Sequence, residues 1–181
     1  MLTQTYKISR QQMGPLLTGI AHTKGVCNLL IGVSTVFIIL LFILDQWIKH
    51  TVVATIALGG THTVVSGLLS LTYIRNDGAA WSMLAGQQWL FIIISLAALV
   101  VMIWFFIHYR HNWQYELGIA FMIAGTLGNF YDRLVNGFVV DMFQLDFINF
   151  PIFNFADSCL TIGVIWIMIV LFLEDQGEKH A

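Results

Sequence analysis

Charge is what this sequence has least of. Its 181 residues include eight basic and ten acidic ones, so 10% are charged while 58% are hydrophobic. A soluble domain carries roughly 25% charge, which excludes a disordered chain, an ordinary soluble enzyme and a nucleic-acid-binding domain. No nucleic acid is therefore expected as a partner. Proline is nearly absent, with two residues beside 15 glycines, and this excludes a low-complexity chain. Two cysteines, Cys27 and Cys159, are too few for a disulfide framework, and both lie in apolar sequence. The histidines (His22, His50, His62, His108, His111 and His180) form no HxxxH pair and no Cys/His cluster, so no zinc spacing is legible. A phosphate-cradling GxxxxGK[ST] loop and a GxSxG nucleophile elbow are missing as well. What remains is an integral membrane protein of mean hydropathy +0.80, and each of its few charges asks for a reason.

What is present is long apolar runs. Residues 25–44 contain no charge and suit a first spanning helix, since about 20 residues cross a bilayer core. The run is too long for a cleaved signal peptide and no A-x-A-like site follows it, so it is expected to be retained. Residues 89–107, WLFIIISLAALVVMIWFFI, hold only Ser95 as a polar residue. Trp104, Tyr109, Trp113 and Tyr115 cluster near the end of that run as an interfacial aromatic belt. Residues 117–131 and 158–173 reach spanning length only by including Asp132 and Asp157. The expected architecture is an all-α membrane protein of four transmembrane helices, near 26–46, 88–108, 114–134 and 155–174, inside a domain of residues 26–173. A tail of residues 1–25 precedes it and one of 174–181 follows. Lys7, Arg10, Lys24, Arg110 and Lys179 fall on one side, against Lys49, Arg75 and Arg133 on the other, which puts both termini in the cytoplasm.

This topology sorts the acids. Asp45, Asp77, Asp132, Asp141, Asp146 and Asp157 gather at the extracytoplasmic side, and Glu116, Glu174, Asp175 and Glu178 lie inside. Ionisable residues at membrane depth point to function. Asn129, Asp132 and Arg133 share one helical face, Asn154 and Asp157 are three apart, and Asp45 and Lys49 are four apart. Asp45–Lys49 and Asp132–Arg133 read first as structural ion pairs, and Asn154 equally as a helix N-cap or a site residue. Asp141 in FVVDMF and Asp157 in FNFADS have no basic neighbour. Two such carboxylates, brought close, cannot both ionise easily, so one keeps a proton while the other serves as base. Spacing alone does not fix their separation. In the loop of residues 51–88, LLSLTYIRN followed by the turn dipeptide Asp77-Gly78 predicts a small extracytoplasmic β-sheet or hairpin. FQLDFINFPIF predicts a second, amphipathic outer loop that touches lipid.

Five motifs stand in order: DQWIK at 45–49, RNDGAAWS at 75–82, GTLGNFYDRL at 125–134, VVDMF at 139–143 and FNFADS at 153–158. On these the chain resembles the lipoprotein signal peptidases (signal peptidase II), a family of bacterial membrane aspartyl proteases. The resemblance implies that Asp141 and Asp157 are catalytic. It implies site support or substrate binding by Asp45, Lys49, Asn76, Trp81, Asn129, Asp132, Arg133 and Asn154, with Asp132 acting through Arg133. The implied substrates are prolipoproteins whose cysteine carries diacylglycerol, met at the bacterial cell membrane among its lipids. Neither a metal nor an organic cofactor is implied. Four short spans suffice alone, so a monomer is expected. Trp81 and Met142 replace a phenylalanine common among relatives, and residues 1–25 extend beyond the usual start. Two other classes remain open: a metal-dependent lipid-phosphate transferase, which needs carboxylates at closer helical spacing, and a proton carrier, which needs ionisable groups across the membrane depth.

Overall fold

The computed structural model describes residues 10–78, 83–110 and 112–179, with side chains between residues 31 and 176. Trp81 and His111 lie outside the described residues. The elements are α1 (Arg10–Thr55), β1 (Thr61–Val65), β2 (Leu69–Asn76), α2 (Gln88–His108), α3 (Trp113–Asn136), β3 (Val139–Leu145) and α4 (Phe155–Lys179).

The first helix runs past its expected end. Beyond Lys49 it continues to Thr55, because Ile48, Val52 and Ile56 recur at i, i+4, i+8 and pack on Tyr73, Val140 and Met142 of the sheet. Thr51 and Thr55 return their hydroxyls to the carbonyls of Trp47 and Thr51, at 2.8 and 2.7 Å. Its lower half and the other helices form a bundle in which α1, α2 and α4 each pack along α3. Leu99, Met102 and Phe106 of α2 meet Ile119, Ala120 and Ile123 of α3 in the main apolar core.

Among the described residues, three stretches are long and apolar enough to cross a membrane: Ile31–Thr55, Gln88–His108 and Phe155–Gln176. Their outward faces carry exposed Val36, Ile39, Leu96, Val100, Ile165 and Met168, as lipid contact demands. The third expected span, α3, is less apolar, and for a physical reason. It is covered by protein on several sides, so it can bury Glu116, Asn129 and Asp132. Glycine lets its neighbours approach: a Cβ at Gly125 would lie 2.3 Å from the Ala156 carbonyl, and one at Gly128 2.5 Å from Asp45 Oδ2. Asn112 caps its start by accepting from the Gln114 N–H at 3.1 Å, and Gly137 at φ 76° ends it.

The expected hairpin is present, but its turn lies elsewhere. The chain reverses between Val65 and Leu69, with Gly67 at φ +73°. Asp77-Gly78 instead closes β2 in an Asx turn, the Gly78 N–H donating to Asn76 Oδ1 at 2.9 Å. The second outer loop also differs from the expectation. Its first part is β3, which pairs antiparallel with β2 to give a sheet of order β1-β2-β3. The run FVVDMF does not alternate because Val139 to Met142 are buried on both faces of that strand. Phe147, Ile148 and Phe150 beyond it are exposed.

Candidate active site

The sheet sits over one end of the bundle, and the chemistry-bearing side chains meet at that junction. Asp141 comes from β3, opposite Ile74 of β2. Asp157 comes from the first turn of α4. Asn154 joins them. Its Oδ1 accepts the Asp157 N–H at 2.9 Å, while the Asp157 carboxylate accepts the Asn154 N–H at 3.1 Å. This reciprocal pair is a capping box, so Asn154 is the N-cap of α4. The same side chain donates through Nδ2 to Asp141 Oδ1 at 2.6 Å and to Asn129 Oδ1 at 3.0 Å. The two readings of Asn154 are therefore one: by capping α4 it ties Asp157 to Asp141.

Each aspartate holds a second amide. Asn76 donates to Asp141 Oδ2 at 2.8 Å, and Asn129 donates to Asp157 Oδ1 at 2.7 Å. Burial pushes the Asp141 carboxyl up to about 6, helped by the negative charge of Asp157, against the hydrogen bonds from Asn76 and Asn154 and the charge of Lys49. Both aspartates line a cavity of about 210 Å³ with Asn76, Asn129, Arg133, Phe150, Pro151 and Phe153.

Behind this cavity lies a buried charge cluster. The Lys49 ammonium is 2.9 Å from Asp45 and 3.0 Å from Asp132, and it donates to Asn129 Oδ1 at 3.1 Å. Asp45 Oδ1 accepts the Ala156 N–H at 2.9 Å, and Asp132 Oδ2 accepts the Val140 N–H at 3.2 Å. Each acceptor thus grips the residue immediately before a pocket aspartate.

Asp45–Lys49 pairs as expected, but Asp132 does not pair with Arg133. Successive helical residues point about 100° apart, so Asp132 turns inward to Lys49 while Arg133 turns to the cavity. There its guanidinium donates to the Gly78 carbonyl at 3.3 Å and stacks 4.8 Å over Phe91. Its Nε has no hydrogen-bond partner. The cluster unites every residue singled out from the sequence except Trp81.

Sequence reasoning missed Gln46, whose amide donates to both Asp45 and Asp132 at 3.1 Å. Its place inside DQWIK was the available signal. It also missed Phe91, whose ring lies under Arg133, and the cavity-lining segment Phe150 to Phe153, where only Pro151 marked a bend.

A family model described as signal peptidase (SPase) II matches residues 37–173. The chain belongs to the signal peptidase II family. It is 58% identical over 144 residues to a lipoprotein signal peptidase of Lactiplantibacillus plantarum, covering 80% of this chain and 97% of that one. Against a lipoprotein signal peptidase of Lactococcus lactis subsp. lactis it is 50% identical, covering 81% and 97%. Among solved structures, a bacterial membrane enzyme determined by the in meso method at 2.3 Å superposes with TM-score 0.77 and 40% identity, over 82% of this chain and 92% of that one. As a signal peptidase II this chain is an enzyme of the aspartic type, and all five sequence motifs fall inside the matched region.

Proposed function

We propose that this chain removes the signal peptide from diacylglyceryl-modified prolipoproteins, cutting before the lipid-bearing cysteine with Asp141 and Asp157 as a catalytic dyad. The observation that carries the reading is their joint hold on Asn154 at the edge of one cavity. A carboxyl raised to about 6 beside a second carboxylate supplies an acid and a base to one site.

Of the pair, Asp141 is the one whose carboxyl is pushed up, by burial and by the neighbouring Asp157, so in this reading the shared proton of the active form sits on Asp141. Asp157 takes a proton from water as the water oxygen attacks the scissile carbonyl carbon, and Asp141 gives its proton to the carbonyl oxygen. The tetrahedral diol then collapses: its C–N bond breaks, the nitrogen takes the proton held on Asp157, and Asp141 regains one from the diol. Asn76, Asn129 and Asn154 keep both carboxylates oriented throughout. Arg133 lines the same cavity, its guanidinium held by the Gly78 carbonyl and the Phe91 ring, and supplies the positive charge beside the two carboxylates.

All four helices cross the bilayer in this reading. At about 1.5 Å per residue, the 24 residues of α3 span about 36 Å, enough for a hydrocarbon core of about 30 Å. The sheet and the dyad lie at the extracytoplasmic face and both termini are cytoplasmic, where the charge bias puts them. The chain works as a monomer among membrane lipids.

The test is cleavage of a diacylglyceryl-modified precursor by the purified protein in detergent. Asp141→Asn and Asp157→Asn should each lose about 10³-fold or more in kcat. Near wild-type turnover from either folded variant refutes the dyad.

A further inference from the structure

Arg75 is a cation that neither the dyad cavity nor the buried charge cluster uses. It stands on β2 next to Asn76, and strand alternation turns it to the opposite face from the amide that holds Asp141. Its position is fixed by two rings. Nε donates to the Tyr73 hydroxyl at 3.0 Å, and the guanidinium carbon lies 4.7 Å from the centre of the Phe138 ring and 6.0 Å from that of Tyr73. Tyr73 is itself buried in the sheet core. Arg75 is nevertheless exposed, and among the described residues no carboxylate pairs with it. Covering Phe138 takes one face of the guanidinium. The two Nη groups remain for an acceptor from outside.

The surface beside Arg75 names that acceptor. Phe138 comes two residues after the end of α3 at Asn136, so Arg75 stands at the level where that helix ends. On the last turns of α3, Tyr131, Leu134 and Val135 recur at i, i+3 and i+4 and are 44, 55 and 61% exposed. Tyr131 meets Phe42 of α1 edge-on at 5.6 Å, so this stripe borders the contact between α1 and α3. Three residues of chain, at most about 11 Å, separate Val135 from Phe138 and the cation above it. An apolar helix face below a preset, unpaired guanidinium matches the two halves of a phospholipid.

We propose that Arg75 and this stripe bind one anionic phospholipid of the sheet-side leaflet, its phosphate diester on the Nη groups and an acyl chain along Tyr131, Leu134 and Val135. The planar fork of an arginine suits two phosphate oxygens. Its uncompensated charge is balanced by a headgroup of net charge −1, which favours phosphatidylglycerol over zwitterionic phosphatidylcholine. The site lies outside the cleavage machinery and stands apart from the peptidase reading.

The full chain, delipidated in mild detergent, is titrated with either lipid, and bound lipid is counted by native mass spectrometry. The parent should hold one phosphatidylglycerol about fivefold more tightly than phosphatidylcholine. Arg75→Gln should lose this preference. Arg75→Lys, which keeps the charge without the fork, should keep part of it and serves if the glutamine variant does not fold. Arg110→Gln, at the other end of the bundle, should bind as the parent does. Parent-like preference in Arg75→Gln, or in Arg75→Lys where that variant alone folds, overturns the proposal, as do equal losses in the Arg75 and Arg110 variants. Displacement of the lipid by millimolar glycerol phosphate would assign the site to a soluble phosphate ester and overturn the lipid reading. A photoreactive phenylalanine analogue at Val135 should label phosphatidylglycerol, and about fivefold less so when Arg75→Gln is added. Equal labelling with and without Arg75 overturns the link between the stripe and the cation.

Discussion

Replacing Lys49 by methionine isolates what the buried charge cluster does. The lysine is 3% exposed, and its three N–H groups meet Asp45, Asp132 and Asn129 at 2.9, 3.0 and 3.1 Å. Methionine keeps the stem and removes the ammonium. It leaves Asp45 and Asp132, each 1% exposed, facing one another without a cation. Breaking a buried ion pair from one side costs about 3–5 kcal/mol. In a chain of this size each kcal/mol moves the melting temperature by roughly 2–4 °C, so a fall of about 6–20 °C is expected. The buried Cys159 thiol, 2% exposed, supplies the assay. In a Cys27→Ser background it is the sole thiol, and a fluorogenic thiol reagent reports its exposure as detergent-solubilised protein is heated. Adding Asp45→Asn to Lys49→Met should recover part of the loss, because one uncompensated charge is gone. A melting temperature for Lys49→Met within about 2 °C of the parent refutes the reasoning.

Other outcomes follow from the same geometry. The Asp141 carboxyl sits at about 6 in the folded protein against about 3.9 unfolded, so its contribution to stability is full below about 4 and is lost as pH rises through 6. Asp141→Asn should therefore melt higher than the parent at pH 7.5, by at most about 3 kcal/mol, and lose that advantage at pH 4. A difference from the parent that is the same at both pH values contradicts the raised carboxyl. Gly125→Ala drives a methyl to 2.3 Å from the Ala156 backbone carbonyl and should cost about 1–3 kcal/mol together with cleavage. Gly32→Ala, with nothing within 4 Å, should match the parent in cleavage. Cleavage should survive EDTA, and its loss would argue for a metal-dependent reaction instead.

The two aspartates were legible because apolar sequence around a carboxylate is costly and therefore informative. Asp141 and Asp157 stand out in FVVDMF and FNFADS before any contact is known. Their joining was not legible, since β3 and α4 meet through Asn154 and hydrogen bonds between segments leave no local pattern. β3 itself escaped notice because it is buried on both faces and lacks alternation. α3 and Arg133 show another limit. Spacing gives the face of a helix but not its neighbours, so Asp132 found Lys49, some 80 residues away in sequence, and not the arginine beside it. The reversal at Gly67 was hidden by a stronger turn dipeptide at Asp77-Gly78, which serves Asn76 instead.

The grip of Asp45 on Ala156 also has a consequence in time. A ribosome delivers α1 first and α4 last, so Asp45 must wait for most of the chain before its N–H partner arrives. Until α4 docks, Asp157 lacks Asn129 and Asp141 lacks Asn154, one of its two amides. A half-made chain therefore lacks the full hydrogen-bond set of either aspartate. The cavity that both aspartates line is complete only when the last helix has closed against the rest of the bundle, so its assembly is the final step of folding and not an early one.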